Sequence, residues 1–209
     1  MTVITAALSP LLGISSLAQQ SLHTDGSQNK VEMRSTIHKK PWEPVFFKEI
    51  NERARLAKLS DLRRANLPKD DIELRVWIGF GLIALEGFII KRRHGQWSAL
   101  LLRSIGPHLA RRDYQQILPV PKSGWEPFWQ HLVEKGVTTL PDSSELEGKV
   151  TALDGESFVV EVNWGGSYRT YLYSNPHLQK WPEARTITEI VQSILDEFGI
   201  PRKLLKAKG

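Results

Sequence analysis

Ser157 to Pro176, S-F-V-V-E-V-N-W-G-G-S-Y-R-T-Y-L-Y-S-N-P, is the stretch whose reading decides the fold. Apolar and aromatic residues alternate towards the Gly165-Gly166 pair from both sides, which is the pattern of a β-hairpin with a two-residue turn. With the glycines at the tip, Val162 faces Arg169, Val160 faces Tyr171 and Phe158 faces Tyr173. Phe158, Val160, Val162, Trp164, Tyr171 and Tyr173 then share one face, and Arg169 is its single cation. A guanidinium keeps its charge at every useful pH, so on an apolar face it needs a carboxylate, several carbonyls or a ligand anion. Two readings follow. Either Arg169 is a structural cation paired with an acidic residue such as Glu86, or Arg169, Tyr171, Tyr173 and Trp164 form a ligand-binding face for an anion or an aromatic group.

Outward from the hairpin, Asp154-Gly155 marks a second two-residue turn. It predicts a three-stranded meander over 148–153, 156–164 and 167–174, with Val150 facing Val159 and Thr151 facing Phe158. Asn175-Pro176 ends the last strand, because proline cannot donate to the ladder. Beyond Pro182, Ile187, Ile190, Val191, Ile194, Leu195 and Phe198 recur with helical spacing, and Gly199 and Pro201 close that helix. Its apolar stripe must pack on a sheet.

Towards the N-terminus, Trp125, Phe128, Trp129 and Leu132 give a short aromatic helix, read as core with a ligand-stacking platform as the alternative. The stretch from Pro107 to Gly124 has three prolines and no period, and reads as a connection. Leu85–Arg92 and Trp97–Arg103 form a hairpin about His94-Gly95, with Glu86 facing Arg103, apolar residues on both faces and a basic cluster, Lys91-Arg92-Arg93-His94, at its tip. Ile72 to Gly79 alternates as a further strand. Phe46, Ile50, Ala54 and Ala57 define a helix after Trp42, whose outer Arg53 and Arg55 join Lys58, Arg63 and Arg64 among interspersed carboxylates.

The expected fold is therefore α+β: a mostly antiparallel sheet built from two β-meanders, each followed by a helix, plus an N-terminal helix. The expected organisation is a signal-like or disordered segment over 1–41, one domain over 42–201 and a basic tail over 202–209. Thr2 to Ala18 carries no charged side chain, and Ser16-Leu17-Ala18 suits cleavage after Ala18, yet no lysine or arginine precedes the run. Export and a retained apolar tail both fit, so secretion and a cytoplasmic location stand side by side. Pro10 and Gly13 interrupt the run, which is too short to span a membrane, so no transmembrane segment is expected.

The 209 residues include no cysteine, which excludes disulfides, thiolate metal sites and cysteine nucleophiles. The net charge is +5, and residues 30–120 hold eighteen basic against ten acidic side chains. The six histidines show no metal-ligand spacing, and no phosphate-cradling or nucleophile motif occurs. No cofactor, metal or catalytic residue is expected. The leading reading is a non-enzymatic binding or accessory protein that recognises a protein or a small polar or anionic partner. The alternatives are a hydrolase-like enzyme whose cluster the spacing does not reveal, and nucleic-acid binding through the basic front half.

Trp125-x-x-Phe128-Trp129-x-x-Leu132, Gly136-Val137-x-x-Leu140-Pro141-Asp142, Asp154-Gly155, Gly166-x-Tyr168-Arg169-x-Tyr171-x-Tyr173-x-Asn175-Pro176 and Pro182-Glu183-Ala184 together resemble uncharacterised bacterial proteins, often exported ones, over about the last 85 residues. The resemblance brings no assigned activity. It implies export and a ligand or partner face around the tyrosines.

Overall fold

A computed structural model describes residues 40–80, 83–105, 112–150 and 155–202. The strands are β1 (Ile72–Phe80), β2 (Ile83–Arg93), β3 (Gln96–Ile105), β4 (Arg112–Leu118), β5 (Ser157–Trp164) and β6 (Ser167–Ser174). The helices are α1 (Glu43–Leu56), α2 (Trp125–Glu134) and α3 (Pro182–Glu197), with short 3-10 turns at Ser143–Glu145 and Pro176–Leu178. All strands join one six-stranded sheet in the order β4-β3-β2-β1-β5-β6, and every neighbouring pair is antiparallel. The chain is thus the expected α+β protein with an N-terminal helix. The apolar run of residues 2–18 lies outside the described residues, among which no helix is long and apolar enough to cross a membrane.

Both hairpins keep the register that their turns dictate. Val162 pairs with Arg169, Val160 with Tyr171 and Phe158 with Tyr173, and both turn glycines adopt positive φ, 62° and 77°. Ile90 likewise pairs with Ala99 and Phe88 with Leu101. Glu86 pairs ionically with Arg103, Nε to Oε1 at 2.8 Å, and accepts a hydrogen bond from Arg202, whose other nitrogen reaches Glu156. Arg202 is therefore tied to the sheet; residues 203–209 lie outside the described residues.

Two expectations change. The strand over 148–153 is absent at Gly148–Val150, and 151–154 lie outside the described residues. Val159 sits instead between Trp77 of β1 and Leu172 of β6, and Phe158 between Ile78 and Tyr173. The uninterrupted β1 offers β5 a longer apolar partner than the exposed Gly148-Lys149-Val150, and Val150 is held by the Gln179 amide, which accepts from its N–H at 2.9 Å and donates to its carbonyl at 2.8 Å. The second change is β4, which forms inside the presumed connection. Only Leu118 of its described side chains is buried, so an edge strand hides its apolar period.

The sheet separates two cores. On one face, the side chains of Ile72, Leu74, Val76 and Ile78 join Phe88, Ile90, Val160, Tyr171 and Tyr173 beneath α2 and α3. Burying Ile187, Ile190, Val191, Ile194 and Leu195 of α3 contributes about 1.5–3 kcal/mol per side chain relative to exposure. On the other face, Phe47 and Ile50 of α1 pack on Trp77, Ile89, Leu102, Val159 and Leu172. All nine residues of β1 are buried, as a strand central in the sheet and covered twice requires. Trp77 lies flat across Gly87: a Cβ there would stand 2.5 Å from the indole, so the ring fits only because its cross-strand partner has no side chain.

Candidate functional site

The four residues nominated by the hairpin share the helix-covered face, as alternation demands, and the polar ends of Arg169, Tyr171 and Tyr173 are occupied by the chain itself. Arg169 donates from both terminal nitrogens to the carbonyls of Thr138 and Leu140. Tyr171 donates to the Val137 carbonyl and Tyr173 to that of Pro141, both at 2.8 Å. Three alternate residues of β6 thus grip the loop after α2 by its backbone. The guanidinium carbon also lies 5.4 Å from the Tyr171 ring centroid. Burial pushes both tyrosine hydroxyls well above their ordinary value, so both stay neutral donors.

Arg169 is thereby satisfied by carbonyls. Glu86, the carboxylate suggested for it, is engaged by Arg103 and Arg202. Arg169→Met should accordingly lower stability by about 2–3 kcal/mol, because two loop carbonyls lose a charged donor. Chemical denaturation measures this; an unchanged midpoint would show that the loop is held without the guanidinium.

Trp164 differs from the other three. It is 42% exposed and meets Trp129 edge to face at 5.8 Å. Trp129 also touches Trp97, 6.1 Å away, and Trp97 stacks on Trp125 at 5.8 Å with planes 3° apart. Arg92 lies 5.4 Å from the Trp97 ring, and the Trp97 indole donates to Glu126 at 2.7 Å. The tryptophans of α2 are therefore core on one side and a half-buried rim on the other.

The opposite face carries ionisable side chains that sequence reasoning missed. Glu73 and Arg75 are each 1% exposed. Arg75 donates to Glu73 Oε1 from Nε at 2.7 Å and to the Ser60 carbonyl from Nη2 at 2.7 Å, and Nη2 also stands 2.6 Å from Oε1 as an ion pair. Arg93 holds Oε2 of Glu73, and Lys91 stands 3.7 Å from Oε1. Burial, then the charges of Arg75 and Arg93, push the Lys91 amine below its ordinary value, partly offset by Glu73.

Across β1, Glu161 accepts from the Trp77 indole at 2.8 Å and from the Tyr168 hydroxyl at 3.1 Å, while Arg63 donates to that hydroxyl at 3.2 Å. Burial raises the Glu161 carboxyl, against the opposing pull of Arg75 and of those donors. The Asn163 amide donates to the carbonyl of Ala65 at 3.1 Å, so the chain between α1 and β1 closes over this half of the sheet. A signal was present in I-E-L-R-V-W-I: Trp77 shares the phase of Glu73 and Arg75, and a tryptophan on the supposed solvent side marks a second covered face.

Among the described residues the cover on this face is incomplete at β3 and β4, although Leu102 lies under α1 and Arg53 of α1 pairs with Asp113. Ser98, Gln115 and Ile117 project from β3 and β4 on this same face and are exposed, Ile117 by 84%, with Leu100 half-buried between Ile89 and Ile117. Lys91 and Arg93 border this open quarter, their side chains 27% and 30% exposed. Among the described residues no group of three or more His, Asp or Glu is placed to hold a metal ion. The chain matches no protein-family model, no curated protein and no solved structure.

Proposed function

We infer that the chain is a non-enzymatic binding protein that docks an acidic, partly apolar segment of a partner protein on the open quarter of its sheet. One observation carries the reading: one face of the sheet is packed beneath α2 and α3, while on the other, among the described residues, Ser98, Gln115 and Ile117 of β3 and β4 stay exposed, with the partly exposed cations Lys91 and Arg93 on the same face of β2. Apolar floor and basic border fit an acidic amphipathic strand or helix, since alternating apolar side chains reach the floor and carboxylates reach Lys91 and Arg93. The hairpin tyrosines and Arg169 lie on the opposite face and take no part in this surface. Their polar groups already hold the 137–141 loop, which leaves Trp164 as the exposed member of that set.

The test is an amide NMR titration with a synthetic peptide of alternating aspartate and leucine, against its lysine counterpart. Shifts should map to Lys91, Arg93 and residues 96–102 and 113–118 for the acidic peptide alone. Ile117→Lys and Arg93→Gln should each weaken binding about tenfold, or roughly 1.4 kcal/mol. Shifts gathered at Trp164 and α2, or none, would overturn the assignment. A single-stranded oligonucleotide bound at the same quarter with steep salt dependence would replace it by the nucleic-acid reading.

A further inference from the structure

The two edges of the sheet differ in what closes them. Along the outer side of β6, the Leu172 N–H donates to Asp142 at 3.0 Å and the Thr170 carbonyl accepts from Lys40 at 3.4 Å, while Lys40 and Asp142 pair with each other at 3.2 Å. Alternate residues of a strand send their backbone groups to the same side, so these two side chains blunt that edge at its middle. At the opposite edge, among the described residues, the backbone partners of Tyr114, Gln115, Gln116 and Ile117 all lie in β3. Tyr114 to Leu118, Y-Q-Q-I-L, also holds no charge, proline or glycine, and it runs against β3 without a bulge. These are the devices that discourage further pairing, and Tyr114 and Ile117 are exposed besides.

We propose that the outer edge of β4 pairs with β4 of a second copy of this chain, antiparallel about a two-fold axis at Gln116, so that one sheet runs through both copies. The segment is its own complement in that register. Tyr114 lies across from Leu118 of the second copy, Gln115 from Ile117, and Gln116 from its own counterpart. The two exposed Ile117 side chains become diagonal neighbours on one face, and each Tyr114 ring covers a leucine on the other. No charged side chain enters the ladder. Asp113, which holds Arg53 of α1, falls opposite Pro119, whose missing N–H ends the pairing there. A second copy suits this edge better than an unrelated strand, because five uncharged residues then satisfy both partners at once by symmetry. The pairing goes beyond partner docking on the open quarter: it uses the backbone edge of β4, and Gln116 shares the phase of the core residue Leu118 on the helix-covered face.

Sedimentation equilibrium of the full chain is the test. The apparent mass should rise from 23.8 kDa towards twice that value with concentration, and hydrogen exchange should slow over the same range at those amides of residues 114–118 that β3 leaves unbonded. Gln116 is exposed, so Gln116→Lys and Gln116→Glu should each keep the melting temperature of the dilute chain. Each should weaken association several-fold by setting like charges across the axis, and an equimolar mixture of the two should restore it. A mass that stays at 23.8 kDa would overturn the proposal, as would a dimer indifferent to both charges. Full protection of the same amides in the dilute monomer would overturn it too, since the edge would then be closed by its own chain. Neither Gln116 variant alters the face on which the peptide titration reads docking, so each result can fail without the other.

Discussion

Replacing Arg75 by methionine should destabilise the chain by about 3–5 kcal/mol, the cost of removing one partner from a buried ion pair. The residue is 1% exposed, donates one bond to Glu73 and one to the Ser60 carbonyl, and adds a second ion-pair contact to Glu73, so water cannot replace what is lost. Glu73 retains Arg93 on its other oxygen, whereas Oε1 would keep only Lys91 at 3.7 Å. The damage also crosses the sheet, because Arg75 is the leading charge that offsets burial at Glu161. Arg75→Lys should recover a minority of the loss, since one ammonium cannot span Glu73 and Ser60 in the same fork. Arg93→Gln provides the contrast: its side chain is 30% exposed, and water can solvate the gap, so its cost should stay within about 1 kcal/mol. Urea denaturation separates the two, and equal costs would contradict the assignment of Arg75 as the buried member.

Asp142→Ala should cost about 3 kcal/mol, because a charged acceptor is withdrawn from several donors at once. Its carboxylate is fully buried and accepts from the Ser144 N–H at 2.9 Å, the Ser144 hydroxyl, the Trp42 indole at 3.1 Å and the Leu172 N–H at 3.0 Å, with Lys40 at 3.2 Å. The Leu172 bond blunts the edge of β6, and the Trp42 bond anchors the start of α1, so one residue secures both. Burial alone would raise this carboxyl, but the Ser144 and Leu172 bonds and Lys40 together hold it below its ordinary value. The folded pKa being the lower one, the stabilisation is complete above the unfolded value of about 4 and is lost as pH falls through the folded pKa. Wild-type stability should therefore decline below about pH 4 with a component that Asp142→Asn lacks. Parallel acid titrations of the two proteins would refute this.

What the sequence revealed was what alternation and turn chemistry control. Gly165-Gly166 and His94-Gly95 set two registers to the residue, and the spacing of Ile187 to Phe198 located α3. Alternation also placed Arg169, Tyr171, Tyr173 and Trp164 on one face. It could not identify what Arg169 touches, because backbone carbonyls of a distant loop leave no mark in side-chain pattern. Glu73, Arg75 and Glu161 were hidden for a related reason: in an alternating strand a buried ion pair and a solvated face are spelled alike, and only Trp77 in the same phase tells them apart. β4 was missed because an edge strand with a mostly exposed surface has little apolar period to read.

The seam between β1 and β5 also has a consequence in time. Every other strand pairing joins neighbours in sequence, so β1 to β4 and β5 to β6 can each assemble through short loops. The β1–β5 pairing alone must bring Ser157 back to Gly79 across the interval that contains β2 to β4 and α2. Closing so long a loop consumes chain entropy before any contact repays it, and non-local pairing of this kind sets the pace of folding. Two preassembled pieces therefore meet late along Val76–Val160 and Leu74–Val162. The topology thus predicts that this encounter, rather than either hairpin, sets the folding rate.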